Sequence, residues 1–168
     1  MANLVVEFDP VTHITAGALG KPGERTFYVQ AERGLDRVTL LCEKEQVQAL
    51  CQAIDEMAER LQEEFGIPPE KTPAFDEVKM TVREPVEPLF RVGQMALGYD
   101  ASRDRVLLVM QEALDEEERD PQEARLYASR AQMLALSAYA SEVAARGRSP
   151  EVRALQAEAR SRRNGHGE

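Results

Sequence analysis

Gly20-Lys21-Pro22-Gly23 lies between two runs with extended character, His13 to Leu19 and Arg25 to Ala31. Pro22 presets φ and Gly23 accepts a positive φ, so these four residues predict a tight turn and the flanking runs a hairpin. In the second run Phe27, Val29 and Ala31 alternate with Thr26, Tyr28 and Gln30, which gives a strand two distinct faces. Upstream, Asp9-Pro10 punctuates a short apolar run, Leu4 to Phe8. Downstream, Gly34 breaks the strand and Arg37 to Cys42 supplies another, with Val38, Leu40 and Cys42 on one face. The first third therefore reads as a β-meander.

From Glu43 the period changes. Val47, Leu50, Cys51, Ile54, Met57, Leu61 and Phe65 recur every three or four residues, the pattern of an amphipathic helix, and Gly66 with Pro68-Pro69 ends it. Lys71 to Pro88 is irregular in composition, with an alternating Val78, Met80, Val82 stretch that would suit one more strand. Leu89 to Tyr99 and Arg105 to Ala113 form a second hairpin across Asp100-Ala101-Ser102-Arg103-Asp104. Both faces of its first strand carry apolar residues, which predicts a central position in a sheet. The acidic run Asp115 to Asp120, followed by Pro121, predicts the start of a second long helix reaching about Arg146, where basic residues suit the C-terminal end. From Arg146 to Glu168, six arginines against three glutamates reverse the sign of the chain, and Val152 and Leu155 are the only large apolar residues. That composition predicts a solvated, mobile tail.

The 168 residues fit one domain, and a net charge of −9 speaks against nucleic acid or anionic lipid as a partner held by electrostatics. No apolar stretch approaches the roughly 20 residues that span a bilayer, and the N-terminal residues lack the basic region of a secretion signal. A cytoplasmic protein is expected. Cys42 and Cys51 each sit in an apolar segment, as buried thiols in a reducing compartment do.

The chemistry-bearing motifs are few. The two histidines, His13 and His166, lie at opposite ends of the chain and the cysteines are nine residues apart, so neither a metal site nor a cofactor is expected. No Gly-rich phosphate loop, G-x-S-x-G, H-E-x-x-H or S-x-x-K occurs. Two features are unusual. Arg130 falls inside the apolar stripe of Leu126, Met133 and Leu134, where its charge requires an internal carboxylate such as Glu112 or Asp36, or a bound anion. Arg91 and Gln94 interrupt an apolar strand, and Arg25 or Gln30 would lie nearby if the hairpins share a sheet; such groups can orient a small ligand.

The blocks Gly20-Lys21-Pro22-Gly23-Glu24-Arg25-Thr26-Phe27 and Phe90-Arg91-Val92-Gly93-Gln94, with Leu41-Cys42-Glu43-Lys44-Glu45-Gln46-Val47 and Ala131-Gln132-Met133 onward, resemble an uncharacterised bacterial family known as domain of unknown function family 3090. The resemblance covers about residues 4–150. Members often carry a cysteine-rich segment resembling a zinc ribbon after the motif that reads Gly147-Arg148-Ser149-Pro150 here. This chain continues Glu151-Val152-Arg153-Ala154, so zinc is not implied. The resemblance also implies a phosphate-linked setting, with histidine-phosphatase-like or kinase-like proteins as partners, because genes of such proteins accompany the family.

Taken together, the sequence predicts an α+β domain over residues 1–148, an antiparallel sheet or partly closed barrel of about six strands packed by two long helices, followed by a basic tail over 149–168. The expected function is a non-catalytic small-ligand-binding or accessory protein, with Arg91, Gln94, Arg130, Arg25 and Gln30 as ligand-binding candidates. An enzyme acting on a phosphorylated small molecule, with arginine clamps and His13 or a carboxylate as base, is the first alternative. A structural homodimer is the second.

Overall fold

Strands β1 (Asn3–Phe8), β2 (His13–Leu19), β3 (Thr26–Arg33) and β4 (Asp36–Cys42) precede helix α1 (Lys44–Phe65) and a single helical turn, α2 (Glu77–Met80). Strands β5 (Val92–Asp100), β6 (Arg105–Glu112) and β7 (Gln122–Ala128) follow, and α3 (Arg130–Ala145) ends the order. This computed structural model describes residues 2–68, 75–115 and 119–146. The expected tail, 149–168, lies outside the described residues.

The strands form two sheets, β1-β7-β6-β5 and β2-β3-β4. Among the pairs of described strands β1–β7 is parallel and the others are antiparallel. The sheets meet at two corners. After β1, Val11 donates its N–H to the Tyr127 carbonyl of β7 and Thr12 donates to Glu32 of β3, so one bent stretch of chain passes from sheet to sheet. At the other corner Leu41 of β4 donates to Phe90, and Leu89 donates to Thr39, just before β5 begins. These corners do not close a barrel.

Three expectations are corrected here. The described residues form seven strands and three helices, and the segment expected as the first turns of a long helix from Pro121 is strand β7. Ala124, Leu126 and Ala128 are buried at period two, opposite Met110, Leu108 and Val106 of β6. With β1 on its other side, β7 gains partners for both edges, and this pairing outweighs the helix-start signal. The helix starts eight residues later than the β7 strand begins, after a capping box in which Ser129 accepts from the Gln132 N–H and the Gln132 side chain accepts from the Ser129 N–H. The Val78–Val82 alternation is likewise no strand: Asp76 caps the turn of α2 instead.

The α1 prediction holds, with a Glu43–Gln46 capping box and Gly66 at φ 64° as the left-handed stop. Its Val47, Leu50, Cys51 and Ile54 join Met133, Leu136 and Ala140 of α3 and the inward residues of both sheets in one core. On the other face of β2-β3-β4, Thr15, Gln30 and Thr39 are directly paired across strands and almost fully buried. Their polar atoms are satisfied by the chain that crosses them. The Gln30 amide donates to the Arg83 carbonyl at 3.0 Å and to Thr39 Oγ1, and accepts from the Arg83 N–H at 2.8 Å, while Thr15 donates to the Met80 carbonyl. Residues 80–90 are thus strapped onto that face.

Candidate functional site

The turn of the β5–β6 hairpin gathers charge. Asp100, at the end of β5, accepts from the Ser102 hydroxyl and N–H and from Arg103 Nε at 2.8 Å, and these bonds draw its carboxyl down to about 2. Arg103 also reaches Asp9 Oδ2 at 2.8 Å and lies over the Tyr127 ring, and Arg105 reaches Asp9 Oδ1 at 2.6 Å. Burial pushes the Asp9 carboxyl up, but the two arginines together leave it below its usual value. Arg33 donates to the Asp9 carbonyl from the neighbouring sheet. The network ties the turn after β1 to the hairpin tip.

Beside this network, Arg130 opens α3 with its side chain largely covered. Its Nε and Nη2 hold the two oxygens of Asp104 at 2.7 and 3.0 Å, side by side, and Nη1 donates to the Pro68 carbonyl at 3.1 Å. The partner is therefore neither Glu112, which takes both nitrogens of Arg119, nor Asp36. Asp104 sits at φ 51° in the turn and also accepts from the Tyr99 hydroxyl at 2.6 Å. The bond from Arg130, then that from Tyr99, holds its carboxyl below the usual range, and the same bond to Asp104 raises the Tyr99 phenol.

Among the described residues, Arg130 is also the one charged residue lining an apolar cleft between α1, α3 and the inner face of the hairpin. Ile54, Met57 and Leu61 of α1 form one wall, Leu97 and Val106 a second, and Met133 and Leu134 a third, with Ile67 and Pro68 at the mouth. The cavity within the cleft is only about 20 Å³, so its walls lie close together. Its two methionines are unbranched and adaptable, which suits a wall that must yield to a guest.

The other candidates lie elsewhere. Arg91 is half exposed at the foot of β5, 3.2 Å from the open carboxylate of Asp115, and Gln94 is exposed three residues further on. Both are separated from Arg130 by the length of the hairpin, since Val92 pairs with Glu112 and Asp100 with Arg105. Arg25 lies over the Phe27 ring and donates to the Arg146 carbonyl at the end of α3. Gln30 is the buried anchor of the 80–90 segment. The structure therefore does not bring the five into one site, and only Arg130 among them faces the apolar cleft.

His13, the candidate base, stands across from Glu32 of β3, whose carboxylate is held by Arg83 at 2.8 Å. Its Nε2 is buried without a hydrogen bond, and burial, then the Arg83 charge, keeps the imidazole below its usual value, hence neutral. Cys42 and Cys51 are free and buried; burial pushes the Cys42 thiol up to about 12 and raises Cys51 as well, so neither is a thiolate nucleophile at neutral pH. Among the described residues no group of three or more His, Cys, Asp or Glu side chains could hold a metal ion, and no helix is long and apolar enough to cross a membrane.

Sequence reasoning missed Tyr99 and Asp104. A hairpin brings its turn-flanking residues together, so that spacing was the available signal. The cleft walls had none, because their residues follow the same periodicity as core.

Fold and site together define an α+β protein of two corner-linked sheets, whose apolar cleft is bordered by the Arg130–Asp104 pair. The chain belongs to the family described as Protein of unknown function (DUF3090), whose family model matches residues 6–154. No curated protein and no solved structure matches it.

Proposed function

We propose that the protein is a non-catalytic, cytoplasmic small-ligand-binding protein, accessory to a phosphate-linked pathway, and that its ligand enters the cleft between α1, α3 and the β5–β6 hairpin. The observation that carries this reading is the composition of the cleft, which among the described residues is ten apolar residues and one guanidinium. Small-molecule sites are mostly apolar with few polar groups that set orientation. An apolar guest bearing one anionic group matches both parts of the lining. The buried thiols and the neutral, enclosed His13 favour binding over covalent or acid/base chemistry. The pathway assignment rests on the family's gene neighbourhood alone.

The test is a two-dimensional NMR titration with small amphiphilic fragments, run on the native chain and on Ala58→Phe, whose ring fills the cleft. Shifts confined to Ile54, Met57, Leu97, Met133 and Leu134, and abolished in Ala58→Phe, are expected. Shifts that persist in the filled variant would place binding elsewhere and overturn the assignment.

A further inference from the structure

From the uncovered outer edge of β5 we infer that this strand pairs antiparallel with β5 of a second copy of the chain, centred on Ala96, so that two four-stranded sheets become one. The inference goes beyond the cleft and does not depend on it. β5 is the last strand of its sheet, and among the described residues no backbone hydrogen bond joins the run from Gly93 to Tyr99 to any element other than β6. Such an edge is a template for another strand, and soluble proteins guard it with charges, prolines, bulges or cover. Two other edges are guarded here. β1 carries Glu7 and a register shift between Leu4 and Val6, and β4 is covered where Leu41 and Thr39 bond to Phe90 and Leu89. In β5 the register shift falls at the start, between Val92 and Gln94, and Val92-Gly93-Gln94-Met95-Ala96-Leu97-Gly98-Tyr99 holds neither a charge nor a proline.

Charge, length and shape together specify a second copy as the occupant. Arg91 and Asp100 bound the uncharged run with opposite signs. An antiparallel copy brings the Arg91 end of each strand to the Asp100 end of the other, whereas a parallel one sets like charges side by side. The free edge is short: before Gly93 the neighbouring position is held by β4, through Leu41 and Phe90, and after Asp100 the chain turns. A copy that uses the whole edge is therefore centred on its midpoint, Ala96. Along the same edge runs an apolar groove of about 420 Å³, walled by Ala49, Leu50 and Ala53 of α1 and by Met95, Leu97 and Leu108 of the hairpin. Met95 and Leu97 lie on the core face, paired with the buried Met110 and Leu108 of β6. Centring on Ala96 sets Met95 of each copy opposite Leu97 of the other on that face, so the two grooves close on each other with apolar side chains, as a self-complementary two-fold contact requires.

Sedimentation equilibrium of the full chain tests this, alongside Ala96→Lys, Ala96→Glu and an equimolar mixture of the two variants. Ala96 is exposed, so neither substitution enters the core, and circular dichroism of each variant shows that the fold is retained. The native chain is expected to sediment as a dimer at about 100 µM. Each variant alone sets like charges opposite each other at the two-fold axis and weakens the dimer by about fivefold or more, while the mixture sets opposite charges there and recovers it to within about twofold of native. A native chain that stays a monomer overturns the inference and leaves the edge to an extended peptide of another protein. A dimer untouched by both variants, or one that the mixture does not recover, places the contact elsewhere and overturns it as well.

Discussion

The covered face of the β2-β3-β4 sheet and the open foot of β5 carry the same kinds of side chain with opposite consequences. Gln30 is 1% exposed and has its amide spent on Arg83 and Thr39, whereas Gln94 is exposed on an edge strand. The arginines repeat the contrast at the two ends of one hairpin. Arg130 makes a two-point pair under cover, and Arg91 touches a carboxylate that is 92% exposed. A residue type by itself predicts little; what crosses over it decides whether its polar atoms are structural, binding or solvated.

Breaking that contrast gives effects of graded size. Gln30→Ala strips partners from the Arg83 N–H and C=O beneath the strap, so a loss of about 2–3 kcal/mol is expected in urea unfolding, while Gln94→Ala stays within about 0.5 kcal/mol. Equal losses would mean the strap does not depend on the amide. Arg130→Ala removes packing and a largely covered pair and is expected to cost about 1–2 kcal/mol, against about 0.5 kcal/mol or less for Arg91→Ala, whose partner is solvated. A silent Arg130→Ala would show that Asp104 and the cleft are indifferent to it.

The smallest effect is one of pH. The His13 imidazole is held below its usual 6.5 by burial and by Arg83, with Glu32 opposing, so the unfolded chain takes up this proton at higher pH than the folded one. This contribution is fully present above pH 6.5 and is lost as pH falls from there through the folded value. The urea midpoint should decline over that window in the native chain and less steeply in His13→Asn. Parallel curves would place His13 in contact with solvent in both states.

Where a local signal and the final partners agreed, the sequence was legible. Gly20 to Gly23 forced a turn, the three-four spacing from Val47 to Leu61 formed α1, and Asp100 to Asp104 closed the second hairpin. Strand β7 was obscured because Pro121 and its acidic neighbours imitate a helix start, and because one of its two partners, β1, comes from the far N-terminal end of the chain. The site was half legible for a similar reason. An arginine in an apolar stripe announces a need for an anion, but the choice of Asp104 over Glu112 depends on where the hairpin tip falls relative to α3. The cleft itself arises where apolar walls stop short of meeting, which no periodicity records.

The central claim is that the Arg130 guanidinium is the anion-recognising group of an apolar cleft, and the Nε–H resonance of that arginine reports on it directly. Titration of the ¹⁵N-labelled protein with a small anionic fragment should shift this resonance together with the amides of Leu97 and Met133, saturably and at one common Kd, while Arg91 Nε–H stays in place. An Arg130 resonance that remains fixed while other sites respond would contradict the account.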